Sequence, residues 1–370
     1  MSVYRSRRAR LRKQLQDEGL ACAVIMPGPN LRYLTGLQMH SSERMALAFF
    51  SAQQDQEPTL LLPALERPQA EAQLQDAARF YAYEDVQGPQ AALGRIAQEL
   101  ELAGGRLGIE YHQLRALELR AIEAVAPGCQ TVSLEALLAR LRSIKDPEEL
   151  AALRRAIALT EELLDRTIKS IRPGQSEREV ARYFLRALLE SEAEAPSFTP
   201  IVVSGPNGGS PHALPSERRL QPGDLITLDV GASLEGYPGD ITRCVALGEL
   251  EPELAKIYQL VLAANSAGRQ ACRPGTPAET VDRAARQVIE QAGYGQYFIH
   301  RTGHGLGLEV HEPPFIIAGN PQPLQPGMTF TVEPGIYLPG RGGARVEDDI
   351  LITDNGAETL TRFPRELIHL

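Results

Sequence analysis

Leu220-Gln-Pro-Gly-Asp-Leu-Ile-Thr-Leu-Asp-Val-Gly231 aligns without a gap on Leu324-Gln-Pro-Gly-Met-Thr-Phe-Thr-Val-Glu-Pro-Gly335. Six of the twelve positions are identical, and Asp229 falls opposite Glu333. Pro-Gly ahead of a strand is ordinary turn chemistry. It does not account for an acidic residue recurring at the same place inside an apolar strand. The repeat predicts a pseudo-symmetric domain whose halves each offer an acidic strand to a shared centre. A second acid follows in each half. Asp240 comes 11 residues after Asp229, across Leu234-Glu-Gly-Tyr-Pro-Gly239, and Glu347 comes 14 after Glu333, across Pro339-Gly-Arg-Gly-Gly343. A hairpin in each half would return the second carboxylate beside the first.

An ionised carboxylate in a strand buried on both faces costs several kcal/mol unless it is paired or bound to a cation. Arg243 and Arg345 are close enough in sequence to neutralise two of the four acids in buried salt bridges. Four acids in matched repeats point instead to a cation site. Histidine narrows the metal. Tyr297-Phe-Ile-His-Arg-Thr-Gly-His-Gly-Leu-Gly-Leu-Glu-Val-His-Glu312 places His300, His304 and His311 around Gly303, Gly305 and Gly307. The alternating glycines argue against a helix and for backbone packed against a close neighbour. Four carboxylates and one imidazole form an oxygen-rich donor set, which favours Mn²⁺, Co²⁺ or Fe²⁺ over a thiolate-type zinc site, with Zn²⁺ still able to bind. Five ligands can hold two ions if carboxylates bridge them, so metal-assisted hydrolysis is the reaction class these residues support. His40, His112 and His369 lack such a context.

Outward from this centre, 370 residues suffice for two domains. No apolar run approaches the roughly 20 residues of a membrane span. The net charge of −9 is uneven: residues 1–147 hold 17 basic and 17 acidic side chains, residues 148–370 hold 21 and 30. No basic block suggests nucleic acid. Four isolated cysteines suit a reduced cytoplasmic protein. The Arg-rich start flows into Leu11, Leu15 and Leu20 at helical spacing, so it is expected to be a surface helix rather than a presequence.

Residues 1–141 alternate short apolar runs (21–26, 45–50, 59–62, 106–110) with helical periodicity (6–18, 90–102, 114–126), as an α/β layer domain does. They contain no Gly-rich phosphate loop. Residues 142–147 read as a linker, with Pro147 suited to the first turn of a helix. The second domain, 148–370, should start with a long amphipathic helix ending at Arg172-Pro173-Gly174 and a second helix over 177–191. Beyond an extended stretch at 197–204 it is expected to be strand-rich and full of turns.

The run His300-Arg-Thr-Gly-His-Gly-Leu-Gly-Leu-Glu-Val-His-Glu312 matches the proline-peptidase signature of the creatinase/methionine-aminopeptidase, or pita-bread, metallopeptidase family. Asp229-Val-Gly-Ala232, Gly239-Asp-Ile-Thr-Arg243, Thr331-Val-Glu-Pro-Gly335 and Arg345-Val-Glu-Asp-Asp349 resemble its other motifs in order. Asn30-Leu-Arg-Tyr-Leu-Thr-Gly36 extends the resemblance into the first domain. It implies a creatinase N-terminal-like α/β domain followed by an α+β pseudo-symmetric pita-bread domain. It also implies two divalent ions held by Asp229, Asp240, His304, Glu333 and Glu347, with Asp240 and Glu347 bridging. Asp349 shares a strand face with Glu347, and the family's Arg-x-Glu-Asp run selects Glu347. By the same resemblance Glu333 passes protons to and from a bridging hydroxide, His212 binds substrate, and His311 touches the scissile carbonyl or the intermediate. His300, Tyr337 and Arg345 are expected at the substrate pocket.

The implied activity is hydrolysis of Xaa-Pro bonds in small peptides, by an aminopeptidase or a dipeptidase, in a homodimer or a dimer-based oligomer. A methionine aminopeptidase-like enzyme would share the five ligands but normally lacks a first domain. A creatinase-like enzyme works without metal, and a non-catalytic partner-binding relative is expected to have substituted ligands. This chain keeps all five.

Overall fold

Cys22-Ala-Val-Ile25 is buried at every position and becomes an inner strand of a six-stranded sheet in the computed structural model, which describes residues 2–53 and 57–370. The chain divides into two units between Arg142 and Ser143. In the first, the strand order is 79–83, 59–63, 47–51, 22–25, 106–109, 130–133. Cys22–Ile25 runs antiparallel to Leu47–Ser51 and parallel to Arg106–Ile109. Helices Val3–Asp17, Gln90–Glu99 and Ala116–Val125 lie where apolar spacing predicts them. Val24, Phe49, Leu93, Ile96, Leu107 and Ile122 meet in one core.

The two outermost strands, Arg79–Tyr83 and Gln130–Ser133, have no apolar alternation to announce them. They are half-exposed edge strands: Gln130-Thr-Val-Ser133 is polar enough to read as loop, whereas Arg79-Phe-Tyr-Ala-Tyr83 carries three aromatic residues of strand type. The Asn30 motif has a structural task in this unit. Buried Glu110 accepts hydrogen bonds from the Met26 N–H (2.6 Å) and Asn30 Nδ2 (2.7 Å), while the Tyr33 hydroxyl donates to the Leu141 carbonyl at 2.8 Å. Burial pushes the Glu110 carboxyl up to about 7, against the pull of those two donors.

The second unit shows the repeat in three dimensions. Asp146 caps helix Pro147–Ser170 through a reciprocal box with Glu149, and Ser176 does the same for Glu177–Leu189 with Glu179. These helices bury Leu163, Leu164, Val180 and Phe184 on a sheet of Ile201–Ser204, Asp224–Val230 and Ile241–Leu247, edged by Ile368–His369. The second half repeats the plan. Thr329–Val332 and Asp348–Thr353 pair antiparallel in a five-stranded sheet, as Asp224–Val230 and Ile241–Leu247 do in theirs.

Helices Pro252–Ala271 and Ala278–Gln291 cover this second sheet, which corrects the expectation of strands and turns throughout. Leu254, Ile257, Tyr258, Val261 and Ala264 recur at helical spacing and are buried together. The glycines at 303 and 305 do face close backbone. A Cβ at Gly303 would lie 1.9 Å from the Thr331 carbonyl oxygen, and one at Gly305 would lie 2.3 Å from that of Pro313.

Candidate active site

All four acids of the repeat sit at the same ends of paired strands. Asp229 is the penultimate residue of its strand and lies opposite Thr242, two residues beyond Asp240. Glu333 immediately follows Thr329–Val332, and Glu347 immediately precedes Asp348–Thr353, whose first residue is opposite Val332. The hairpin register therefore returns each second acid beside the first. Asn265, on the helix behind the second sheet, fixes the two chains that carry Glu333 and Glu347. Its Nδ2 donates to the Val332 carbonyl (2.9 Å) and the Val346 carbonyl (3.3 Å).

The acids open into a cavity of about 680 Å³, walled by Phe198, Ile201, His212, Leu214, Arg301, Val310, His311 and Ile317 as well as by the acids, His300, His304 and Arg345. Donor atoms of Asp240, His304 and Glu347 all lie within 4.8 Å of one another. His304 Nε2 is 3.8 Å from Asp240 Oδ2 and 3.2 Å from Glu333 Oε1. Its Nδ1 lies 3.2 Å from the Gly305 carbonyl. An Nδ1–H donated to that carbonyl turns the Nε2 lone pair toward the carboxylates, an arrangement that repels unless a proton or a cation lies between. Asp229 gives the same indication: Arg345 donates to Oδ2, while Oδ1 is buried without a hydrogen-bond partner.

Electrostatics agree with that geometry. Burial, then Glu347 and Asp229, push the Asp240 carboxyl well above its usual range. Burial, then Glu333 and Asp229, do so to Glu347. Asp229 is also raised, by burial first and with Arg345 opposing. Glu333 behaves differently. Burial disfavours its charge, yet the hydrogen bond and charge of His304 outweigh burial and hold it at about 2. Three carboxylates that resist ionisation together, around an oriented imidazole, are a donor set matched to divalent cations.

The remaining candidates separate by what they touch. His212, on the exposed turn after Gly205–Gly209, lines the cavity. His311 also lines it, its ring edge-to-face with His304 at 4.1 Å. Burial, then the His304 charge, pull His311 down to about 4, so it is a neutral imidazole near pH 7. His300 bonds the Arg301 carbonyl through Nδ1 (2.7 Å) and the Tyr337 hydroxyl through Nε2 (2.9 Å). Tyr337 is buried behind Arg345 and accepts from its Nη1 at 2.8 Å. Burial pushes this phenol up to about 12, with Arg345 opposing.

Arg345 itself is fully engaged, by Asp229, Tyr337 and Thr242. The salt-bridge alternative is thus half realised: Arg345 does neutralise Asp229, whereas Arg243 pairs with Asp348 at 2.9 Å, away from the cavity. The three consecutive acids part company. Glu347 joins the cluster, Asp348 is held by Arg243 and Arg365, and Asp349 is buried with no hydrogen bond to either oxygen.

Sequence reasoning passed over three residues. Thr242 accepts from Arg345 Nε at 3.1 Å and donates to Glu347 Oε2 at 2.6 Å. Its place two residues after Asp240 on one strand face was the available signal. Asn265 could have been flagged as a lone amide on the apolar face of a helix. Arg301 stands inside the quoted signature, masked by the histidines around it.

Residues 151–354 match the model of metallopeptidase family M24, and residues 7–144 match the creatinase/prolidase N-terminal domain. The chain is 38% identical to the probable dipeptidase PepE of Mycobacterium tuberculosis, over 99% of this chain and 96% of that protein. It is 34% identical to the Xaa-Pro dipeptidase of Lactobacillus delbrueckii subsp. lactis, over 97% of each. The crystal structure of a prolidase from Thermococcus sibiricus superposes with a TM-score of 0.93 at 35% identity, covering 100% of both chains.

Proposed function

The chain belongs to metallopeptidase family M24, and we propose that it is a metal-dependent exopeptidase that hydrolyses the Xaa-Pro bond of small peptides. The observation that carries this reading is the donor set around His304: an oriented Nε2, an orphaned Asp229 oxygen, and carboxylates that resist joint ionisation. Asp229, Asp240, His304, Glu333 and Glu347 would hold two divalent ions, Mn²⁺ favoured, with Asp240 and Glu347 shared between them. When bound, such ions polarise a carbonyl and make water a nucleophile near neutral pH.

The chain's own groups do the rest. Thr331 donates to Glu333 Oε1 at 3.1 Å and so positions this carboxylate to take a proton from the nucleophile and return it to the leaving nitrogen. His311, held neutral, would donate to the substrate carbonyl region, and His212 lines the same cavity. Arg345 and Thr242 fix Asp229 and Glu347 so that the donor set does not rearrange when charge develops. An Xaa-Pro bond has no N–H for a peptidase to grip, so attack on a polarised carbonyl with protonation of the ring nitrogen suits it.

A reduced, cytoplasmic setting suits its four free cysteines; a homodimer is proposed as well, and light scattering checks it. Metal-loaded protein should cleave Ala-Pro. Cleavage of Ala-Pro-Ala would add the aminopeptidase activity. Failure on both with Mn²⁺ and with Co²⁺ would overturn the reading.

A further inference from the structure

We infer that Arg301 is the carboxylate-recognising group of this cavity, and that the preferred substrates present an anionic group to it. The inference rests on the peptidase reading for the identity of the ligand, and on Arg301 for its charge. The cavity wall contains two guanidinium groups. That of Arg345 is consumed: Nε goes to Thr242, Nη1 to Tyr337 and Nη2 to Asp229. Among the described residues the side chain of Arg301 has no ion pair and no hydrogen bond. Its guanidinium lies over the Phe315 ring, 4.5 Å from the centroid.

A cation over a ring face in this way satisfies none of its N–H donors by hydrogen bonding, so they stay available to a ligand. Arg301 is half-buried, and burial pulls its pKa below the usual arginine value with Glu333 opposing. A half-buried guanidinium without an acceptor is an incomplete hydrogen-bonding group, and a planar carboxylate is the ligand that completes it in bidentate fashion. Glu333 does not serve: its charge is felt at Arg301, yet among the described residues no hydrogen bond or ion pair joins the two.

An Xaa-Pro dipeptide has two possible sources of a carboxylate: its C-terminus, or an acidic side chain on its first residue. A C-terminal contact would make the enzyme a dipeptidase, since a longer peptide has an amide where the carboxylate is needed. A side-chain contact would leave chain length open and select Asp or Glu at the first position. The two share one chemistry at Arg301, and a pair of matched substrates separates them.

The test compares kcat/KM of the metal-loaded full-length protein on Ala-Pro against Ala-Pro amide, and on Glu-Pro against Gln-Pro. Wild type should favour the carboxylate member of one pair by roughly 10- to 100-fold, and Arg301→Met should bring that ratio close to one. Arg301→Lys, which keeps the charge but not the fork, should fall between and guards against a misfolded Met variant. Equal rates within both pairs, or an Arg301→Met variant that discriminates as wild type does, overturn the inference while leaving the peptidase reading intact. No cleavage of any of the four overturns the peptidase reading. Calorimetric binding then decides for Arg301: tighter binding of Ala-Pro than of its amide, lost in Arg301→Met, supports the assignment, and its absence refutes it.

Discussion

Asp240→Asn should stabilise the metal-free protein and destabilise the metal-loaded one, a reversal that a merely structural aspartate would not produce. Asp240 is 4% exposed, and the carboxylates of Glu347 and Asp229 are its principal charged neighbours. Asparagine keeps the volume and hydrogen-bonding capacity while removing one of the like charges. Relief of a buried, poorly satisfied group is worth about 1–3 kcal/mol. At about 2–4 °C per kcal/mol for a unit of this size, that is a rise of roughly 2–12 °C in the Tm of metal-free protein. In the loaded protein the balance inverts. A cation at about a hundred times its Kd stabilises by about 2.7 kcal/mol, and loss of a ligand removes most of this.

The sign with pH follows from the same groups. Asp229, Asp240 and Glu347 have folded pKa values above their unfolded ones. Their contribution is therefore fully present below the ordinary carboxylate range and is lost as pH rises through the raised values. Metal-free wild type should lose stability from this cluster as pH rises above the ordinary carboxylate range, and Asp240→Asn should flatten that slope. Added Mn²⁺ should raise Tm more at the higher pH, because binding displaces protons. Differential scanning calorimetry on chelator-treated and Mn²⁺-loaded protein reads all three quantities. Equal destabilisation of both forms by Asp240→Asn would refute the reasoning.

Glu333→Gln should retain the fold and lower turnover of Ala-Pro by about 10²–10⁴-fold, the range for a proton-transferring group; near-normal turnover would remove Glu333 from that role. Asn265→Leu leaves the Val332 and Val346 carbonyls unsatisfied, so it should cost roughly 2 kcal/mol or more and weaken Mn²⁺ binding by about tenfold, read by denaturation and calorimetry. Unchanged Mn²⁺ affinity would make its role purely structural. Lys145 and Glu312 form an ion pair at 2.6 Å with side chains 1% and 4% exposed. Lys145→Met should therefore cost about 3–5 kcal/mol in urea denaturation, and Lys145→Met/Glu312→Leu should recover most of it. A single variant as stable as wild type would refute the pair's importance.

Most of the catalytic unit's plan was legible because it is written twice. A gapless repeat sets the strand ends, and alternation along a strand decides which side chains share a face. The glycines at 303 and 305 were legible as sites of close approach, and the Thr331 and Pro313 carbonyls lie where a Cβ would. What escaped notice was what lacks a period-two signal or competes with a louder one. Helices Pro252–Ala271 and Ala278–Gln291 carry ordinary 3.6-residue spacing but fall between motifs that attract attention. The edge strands Arg79–Tyr83 and Gln130–Ser133 are recognisable only by the neighbours they pair with.

By itself, the sequence determined that two acidic strands must share a centre, that the donor set is rich in oxygen, and that a glycine-flanked histidine segment belongs to it. Tertiary structure decided the assignments among equals. Of three nearby imidazoles, His304 alone directs Nε2 at the acids, while His300 is tied to Tyr337 and His311 stands edge-on beside it. Of three consecutive acids, one faces the cavity, one closes an arginine network and one is buried alone. Of two cavity arginines, one is bound on every side, and the other, among the described residues, meets only the Phe315 ring. The physical reason is range. Covalent geometry sets which face of its own element a side chain takes, over a few residues. Which atom it meets there depends on chain tens to more than a hundred residues away, brought close only by packing.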